Sequence, residues 1–234
     1  MSLPLLLLPG SLCNEQLFKH QISFLIRQRE VIVADFSGCD SIEAMAIKVL
    51  SEAPVEFALA GLSMGGIVAF EMFRQAPQRI KKIALLDTNP AAESPERVII
   101  RHQQVNSVVE LGVEGLKALV RLELLPKYVF ESEQSLKIES VVMEMALDAG
   151  PDNFIDQWHA LANRPDSWTT LKDIHCPTLI LCGVNDVLCN EKCHRDMAHE
   201  IKHARLEVIQ MAGHLSTIDA PDQVNRALDS WLNS

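Results

Sequence analysis

The sequence has no excess of positive charge. Lys and Arg total 21 against 31 Asp and Glu, a net charge of −10. Affinity for nucleic acid rests on a basic stripe that neutralises phosphates, so a free-standing nucleic-acid binder is excluded, and docking on anionic lipid is disfavoured. Also missing is any apolar run near the ~20 residues a membrane helix needs. The longest is Leu5–Leu8, with Leu3 and Pro4 before it. No basic segment precedes this Leu-rich start, Pro9-Gly10 breaks it, and Leu12 rather than a small residue stands before Cys13. It therefore reads as neither a signal peptide nor a lipoprotein cleavage site, and the expectation is a cytoplasmic protein. There is no internal repeat, no linker-like tract and no C-x-x-C. The six cysteines (Cys13, Cys39, Cys176, Cys182, Cys189, Cys193) are scattered. A chain of this length builds a core without disulfides. No second close pair of ligands completes a zinc site around Cys189, Cys193 and His194. Reduced, buried thiols are expected, with no metal and no cofactor.

What is present is a regular alternation. Short apolar runs occur at Leu3–Leu8, Val31–Ala34, Phe57–Ala60, Ile80–Leu86, Thr178–Cys182 and Leu206–Ile209. They are apolar on both alternating faces, as strands covered by helices on both sides are. Between them lie amphipathic stretches at Glu15–Gln28, Ser41–Leu50 (Ser41 as N-cap), Gly66–Arg74 and Pro221–Leu232. This rhythm predicts an α/β fold with a mostly parallel sheet. It breaks between residues 90 and 167, where no strand-like run occurs. There the periodicity predicts helices at about Ser94–Leu111, Val113–Leu124, Glu133–Leu147 and Asp152–Ala162, punctuated by Gly112, Pro126 and Gly150-Pro151. The expected organisation is a core of residues 1–89 and 168–234, with residues 90–167 inserted as a helical lid. An independent helical domain is the alternative.

Gly61-Leu62-Ser63-Met64-Gly65 is a G-x-S-x-G between a strand and a helix. A nucleophilic Ser on so tight a turn needs small neighbours two before and two after it, and the following helix N-terminus favours a developing anion. A serine hydroxyl is a weak nucleophile at neutral pH, so a base and an orienting acid are required. Of the eight histidines, His214 alone sits in a Gly-His turn beyond the last strand-like run. Asp186 follows the strand Thr178–Cys182, and Asp87 follows Ile83–Leu86. Both are candidate acids, because catalytic groups gather at the carboxyl ends of parallel strands. With Asp186 the chain order is Ser63, Asp186, His214.

These motifs resemble those of the α/β-hydrolase superfamily of esterases, lactonases and carbon–carbon hydrolases. Pro9 to Phe18 and Gly61 to Gly66 are similar to pimeloyl-carrier-protein methyl-ester esterases. Leu8–Asn14 resembles the family's His-Gly-x turn, Asp35–Ser41 its D-x-x-G-x-G-x-S turn, Cys176–Asp186 its P-T-L-x-x-x-G-x-x-D segment, and Gly213-His214 with Ala220-Pro221 its histidine loop. The sequence departs from the pattern at Pro9, where the family has His, and at Asp40, where it has Gly. The resemblance implies an oxyanion hole from the backbone amides of Ser11 and Met64, with Leu12 in place of Ser11 if the loop is shifted by one. It also places Leu3–Leu8 on the family's third strand, the first two being absent. A wholly parallel six-stranded sheet follows, in which the chain's second strand is an edge and its first lies between the second and third. An apolar edge invites pairing, so the expectation is a monomer or a homodimer through that edge.

The resemblance implies acyl transfer to water from a small-to-medium, mostly apolar ester or thioester. Ser63 at the elbow excludes relatives that use Asp there, the haloalkane dehalogenases and epoxide hydrolases. Carbon–carbon or enol-lactone hydrolysis, acyl transfer to an alcohol, and non-catalytic ligand binding share the fold and stay open. Residues 91–170 carry 13 acidic and 7 basic residues, which argues against an acidic carrier protein as partner. Arg97 and Arg101, one helical turn apart, could form a local basic patch. Met143 and Met145 would suit a pocket for variable acyl chains.

Overall fold

The computed structural model describes residues 2–234. The six apolar runs form β1 (Leu5–Leu8), β2 (Val31–Val33), β3 (Phe57–Leu62), β4 (Ile80–Leu86), β5 (Thr178–Gly183) and β6 (Arg205–Ile209). They make one sheet in the order β2-β1-β3-β4-β5-β6, parallel at every pairing. This is the wholly parallel six-stranded sheet anticipated from the sequence, with β2 at the edge and β1 between β2 and β3. Every residue of β1, β3 and β5 is buried. Those strands read as continuous apolar runs because helices cover them on both faces.

Between β1 and β4 lie α1 (Lys19–Leu25), α2 (Ile42–Glu52) and α3 (Met64–Gln75). Ser41 caps α2, its hydroxyl accepting from Ala44 N at 3.2 Å, as the sequence suggested. The block after β4 comprises α4 (Pro95–Leu119), α5 (Leu125–Tyr128), α6 (Ser135–Ala162) and α7 (Trp168–Leu171), with a π-turn at Val120–Leu124. Gly112 (φ 57°) and Gly150 (φ 76°) break α4 and α6 into two arms each, at the two points where glycine punctuates the sequence. Only glycine takes these conformations cheaply. After β5 come α8 (Glu191–Glu200), α9 (Ser216–Asp219) and α10 (Pro221–Leu232). The α2 helix packs on α3, α7 touches both α3 and α8, and α1 packs with α10.

Sheet register determines where the chemistry sits. Leu8 pairs with Gly61, Leu62 with Leu86, Leu86 with Leu181, and Gly183 with Ile209. The carboxyl ends of β1, β3, β4, β5 and β6 are thus level, and the loops leaving them converge on one edge of the sheet. Those loops carry Ser11, Ser63, Asp87, Asp186 and His214. The edge strand β2 spans only three residues, all half-buried, which leaves few unpaired amides for another chain. Among the described residues, no helix is long and apolar enough to cross a membrane.

Candidate active site

Ser63 stands between β3 and α3 with φ 55° and ψ −116°, a conformation that costs a non-glycine residue about 1–3 kcal/mol. Its neighbours explain the glycines. A Cβ on Gly61 would lie 2.3 Å from Gly65 O, and one on Gly65 would lie 2.0 Å from Leu8 O. The strained turn is held from outside. Ser63 N donates to Leu86 O at 2.9 Å, and Thr88 Oγ1 donates to Ser63 O at 2.7 Å. Thr88 N in turn donates to Nε2 of His194 at 3.1 Å, and the other nitrogen of that ring lies 3.1 Å from Asn190 O. His194 is wholly buried, which lowers its pKa and keeps it neutral. With both nitrogens engaged, it braces the elbow and is not placed to bind a metal with Cys189 and Cys193.

Ser63 Oγ lies 2.9 Å from His214 Nε2, and His214 Nδ1 lies 2.9 Å from Asp186 Oδ2. His214 and Asp186 are 2% and 5% exposed, so water does not compete for either contact. The second carboxylate oxygen, Oδ1, accepts from Leu188 N at 2.8 Å and Cys189 N at 2.9 Å. These bonds fix the acid and assign the Nδ1–H tautomer to His214.

Asp87, the other candidate acid, does not touch His214. It is wholly buried, and its carboxylate accepts from Gly183 N at 2.8 Å and lies 2.5 Å from Ser216 Oγ. Burial and the nearby charge of Asp186 raise its pKa well above the carboxylate range. Asp186, Cys189 and His214 bring three potential metal-ligand atoms within 4.8 Å of one another. Both carboxylate oxygens of Asp186 are already engaged, and burial pushes the Cys189 thiol well up, away from the thiolate a metal requires.

The loop after β1 turns at Leu12, whose φ is 58°. Leu12 N donates to Gln157 Oε1 of α6 at 2.8 Å, so this amide is not free to meet an oxyanion. The Ser11 and Met64 amides have no acceptor among the described residues. Ser11 Oγ lies 3.2 Å from Tyr128 Oη, and the Tyr128 ring sits 5.3 Å from the His214 ring. Burial pushes the Tyr128 phenol up to about 12, so it remains a neutral hydrogen-bonding group. Neither Gln157 nor Tyr128 was foreseen from the sequence.

A cavity of about 390 Å³ opens over Ser63 and His214, lined by the sheet-end loops and by residues 92–164. Leu124, Trp158 and Leu161 supply apolar wall, but Met143 and Met145 do not line it. Met145 is wholly buried in the core, so the sequence expectation of a methionine-lined pocket is corrected: helical spacing does not say which face meets the cavity. Nor is the cavity mostly apolar. Arg97, Arg101, Lys127, Arg164 and Glu93 all line it.

Asp219 secures the loop of His214. Its Oδ2 accepts from Gly213 N at 2.8 Å, while the buried Oδ1 has no partner among the described residues. Burial raises its pKa to about 6. The folded state therefore binds this proton more tightly than the unfolded chain, and stability drains away as pH rises from about 4 through 6. Asp219→Asn removes that dependence. The melting temperature of the variant minus that of the wild type should rise between pH 4 and pH 7; a constant difference would show that Asp219 is not titrating in this range.

The comparisons with known proteins agree with this architecture. The chain is 26% identical over 99% of its length, and 90% of the relative's, to the (E)-2-((N-methylformamido)methylene)succinate hydrolase of Acinetobacter baylyi. It is 28% identical to a thermophilic esterase from Thermogutta terrifontis, solved with malate bound, with a TM-score of 0.89 over 100% of this chain and 90% of that one. It also superposes on the enol-lactonase of Burkholderia xenovorans, with a TM-score of 0.89 and 19% identity over 100% and 92% of the two chains, a likeness of fold. The alpha/beta hydrolase fold family matches residues 54–221, from just before β3 to the start of α10. By its six-stranded parallel sheet, its elbow and this match, the chain belongs to the α/β-hydrolase fold family.

Proposed function

We propose that this hydrolase cleaves a carboxylic ester through an acyl-enzyme on Ser63. The observation that carries the reading is the unbroken line of two 2.9 Å contacts from Ser63 Oγ through His214 to Asp186. Ser63 Oγ attacks the ester carbonyl as His214 Nε2 takes its proton, and Asp186 steadies the imidazolium. The amides of Ser11 and Met64 receive the oxygen of the tetrahedral intermediate, the largest electrostatic contribution in acyl transfer. His214 then protonates the departing alcohol. Water, deprotonated by His214, attacks the acyl carbonyl and releases the acid. Residues 90–167 serve as the lid that shapes the substrate cavity. No step calls on a cofactor.

The test is a stopped-flow series of p-nitrophenyl esters from acetate to laurate. A burst approaching one p-nitrophenolate per chain, with the matching acyl mass on the peptide containing Ser63, is expected for at least one chain length. Turnover with the acyl mass on another residue would overturn the assignment. So would a folded protein that turns over none of the series and takes no label from an activated acyl donor.

A further inference from the structure

The basic residues of the lid are concentrated in the cavity. Of the 7 Lys and Arg among residues 91–170, Arg97, Arg101, Lys127 and Arg164 line it; of the 13 acidic residues, Glu93 alone does. A segment with a negative net charge thus turns a positive face to Ser63.

Within this group the guanidinium groups have different tasks. Glu93, its side chain 2% exposed, receives Arg97 at 3.1 Å, Arg101 at 2.6 Å and Arg164 at 3.2 Å. Arg164 is spent on the scaffold: Nε donates to Ala91 O at 2.8 Å, and both terminal nitrogens reach Glu93. Arg101 is not. Its Nε holds Glu93 at 2.6 Å, while Nη1 and Nη2 have no acceptor among the described residues. Yet Arg101 is only 9% exposed. Its guanidinium lies over the Trp158 ring at 5.2 Å, and Trp158 is fixed by its own hydrogen bond to Gln104 Oε1 at 2.6 Å. The result is a nearly buried cation, anchored at one edge and stacked on one face, with its terminal fork free. One carboxylate shared among three guanidinium groups leaves the cluster net positive; Arg97 is solvated at 54% exposure, whereas the Arg101 side chain, 11% exposed, has the cavity as its main outlet. Such a charge is costly unless an anion answers it.

We propose that Arg101 forms a carboxylate subsite in the cavity it shares with Ser63. The substrates it selects carry a free carboxylate on the part of the molecule away from the scissile ester. A planar fork pairs with a carboxylate through two parallel hydrogen bonds. Holding Nε on Glu93 and the plane on Trp158 pre-organises that fork, so little freedom is lost on binding. Arg97, 54% exposed at its side chain, adds long-range attraction at the entrance. As a choice of substrate this rests on the esterase reading, but as a binding site it does not.

The experiment has two arms. In the first, straight-chain dicarboxylates from succinate to suberate are titrated calorimetrically into the Ser63→Ala protein, with inorganic phosphate as a second probe. One-to-one binding is expected for at least one diacid, weakened at least ten-fold by Arg101→Met and partly restored by Arg101→Lys. In the second arm, wild-type kcat/KM is compared on the monomethyl ester of that diacid and on the neutral methyl ester of the same chain length. The charged ester should be favoured at least ten-fold, and the ratio should fall towards one in Arg101→Met. A purely structural arginine would change both esters together and leave the ratio alone. If Arg101→Met does not fold, the wild-type ratio and its decline with added salt decide. The proposal is overturned if no diacid binds and the wild-type ratio is near one, if Arg101→Met binds diacids as well as the parent, or if phosphate binds more tightly than every diacid. Diacid binding without hydrolysis of either ester would leave the subsite standing and remove the esterase reading. Equal hydrolysis of both esters with no diacid bound would do the reverse.

Discussion

Ser63→Ala should lower kcat on whatever substrate the protein hydrolyses by about 10⁴- to 10⁶-fold, which corresponds to roughly 5–8 kcal/mol of barrier. The loss is large because nothing near it substitutes. Ser11, the other cavity serine close to the elbow, faces the Tyr128 hydroxyl, a phenol pushed up to about 12 that stays protonated and so offers no base to activate it. The fold should survive, because Ser63 Oγ makes its one hydrogen bond with His214. Ser63→Gly should be equally inactive and more stable than the parent. It relieves a φ of 55° and ψ of −116° worth about 1–3 kcal/mol. In a chain of this size each kcal/mol raises the melting temperature by about 2–4 °C. Alanine and glycine variants measured side by side therefore separate chemistry from strain. Residual activity within 100-fold of wild type in either would mean that Ser63 is not the nucleophile. A Ser63→Gly protein less stable than Ser63→Ala would mean that the elbow is not strained.

The two buried aspartates should respond very differently to the same change. Asp186→Asn removes the charge that steadies the imidazolium and presents an amide N–H to a ring nitrogen that is itself a donor. A loss of about 10³- to 10⁴-fold in kcat is expected, by analogy with the same exchange in a serine protease triad. Asp87→Asn should cost less than about ten-fold. Burial disfavours the charged form of Asp87, and an amide keeps both contacts: its oxygen accepts from Gly183 N, and its NH₂ faces Ser216 Oγ. Kinetics on both variants, with circular dichroism to confirm folding, test the pair. If Asp87→Asn were the damaging change and Asp186→Asn the mild one, the assignment of the acid would be reversed.

Much of this arrangement was legible in the sequence, and the boundary has physical causes. The strands showed because a strand covered on both faces is apolar throughout, as Leu5–Leu8 and Phe57–Leu62 are. The breaks in α4 and α6 showed because Gly112 and Gly150 occupy a region of backbone space that other residues avoid. The elbow and its histidine were readable because strained turns and Gly-His loops leave local signatures. The sequence favoured Asp186 over Asp87 through the resemblance of Cys176–Asp186 to the P-T-L-x-x-x-G-x-x-D segment, but chain order alone did not separate them, since both follow strands; the direction of their carboxylates does. The α8 helix left almost no apolar trace, since His194 and Met197 are its only buried side chains. Tyr128, Gln157 and the free fork of Arg101 lie in ordinary helical stretches. Their significance depends on partners 117, 145 and 57 positions distant in the chain, Ser11, Leu12 and Trp158, and no local pattern records such meetings.

One bond ties two histories together. Residues 90–167 connect two strands of the sheet and add none of their own, and connecting segments vary more freely than the elements they join. Here that freedom is curtailed at Gln157, which reaches from α6 to hold the amide of Leu12 in the loop that carries Ser11. A lineage that refits its cavity by remodelling α6 must keep an acceptor at this spot or lose rate on old and new substrates alike. Divergent relatives should accordingly vary across the walls of the cavity while conserving a hydrogen-bond acceptor at the position of Gln157, a drift constrained by catalysis at a residue that never meets the substrate.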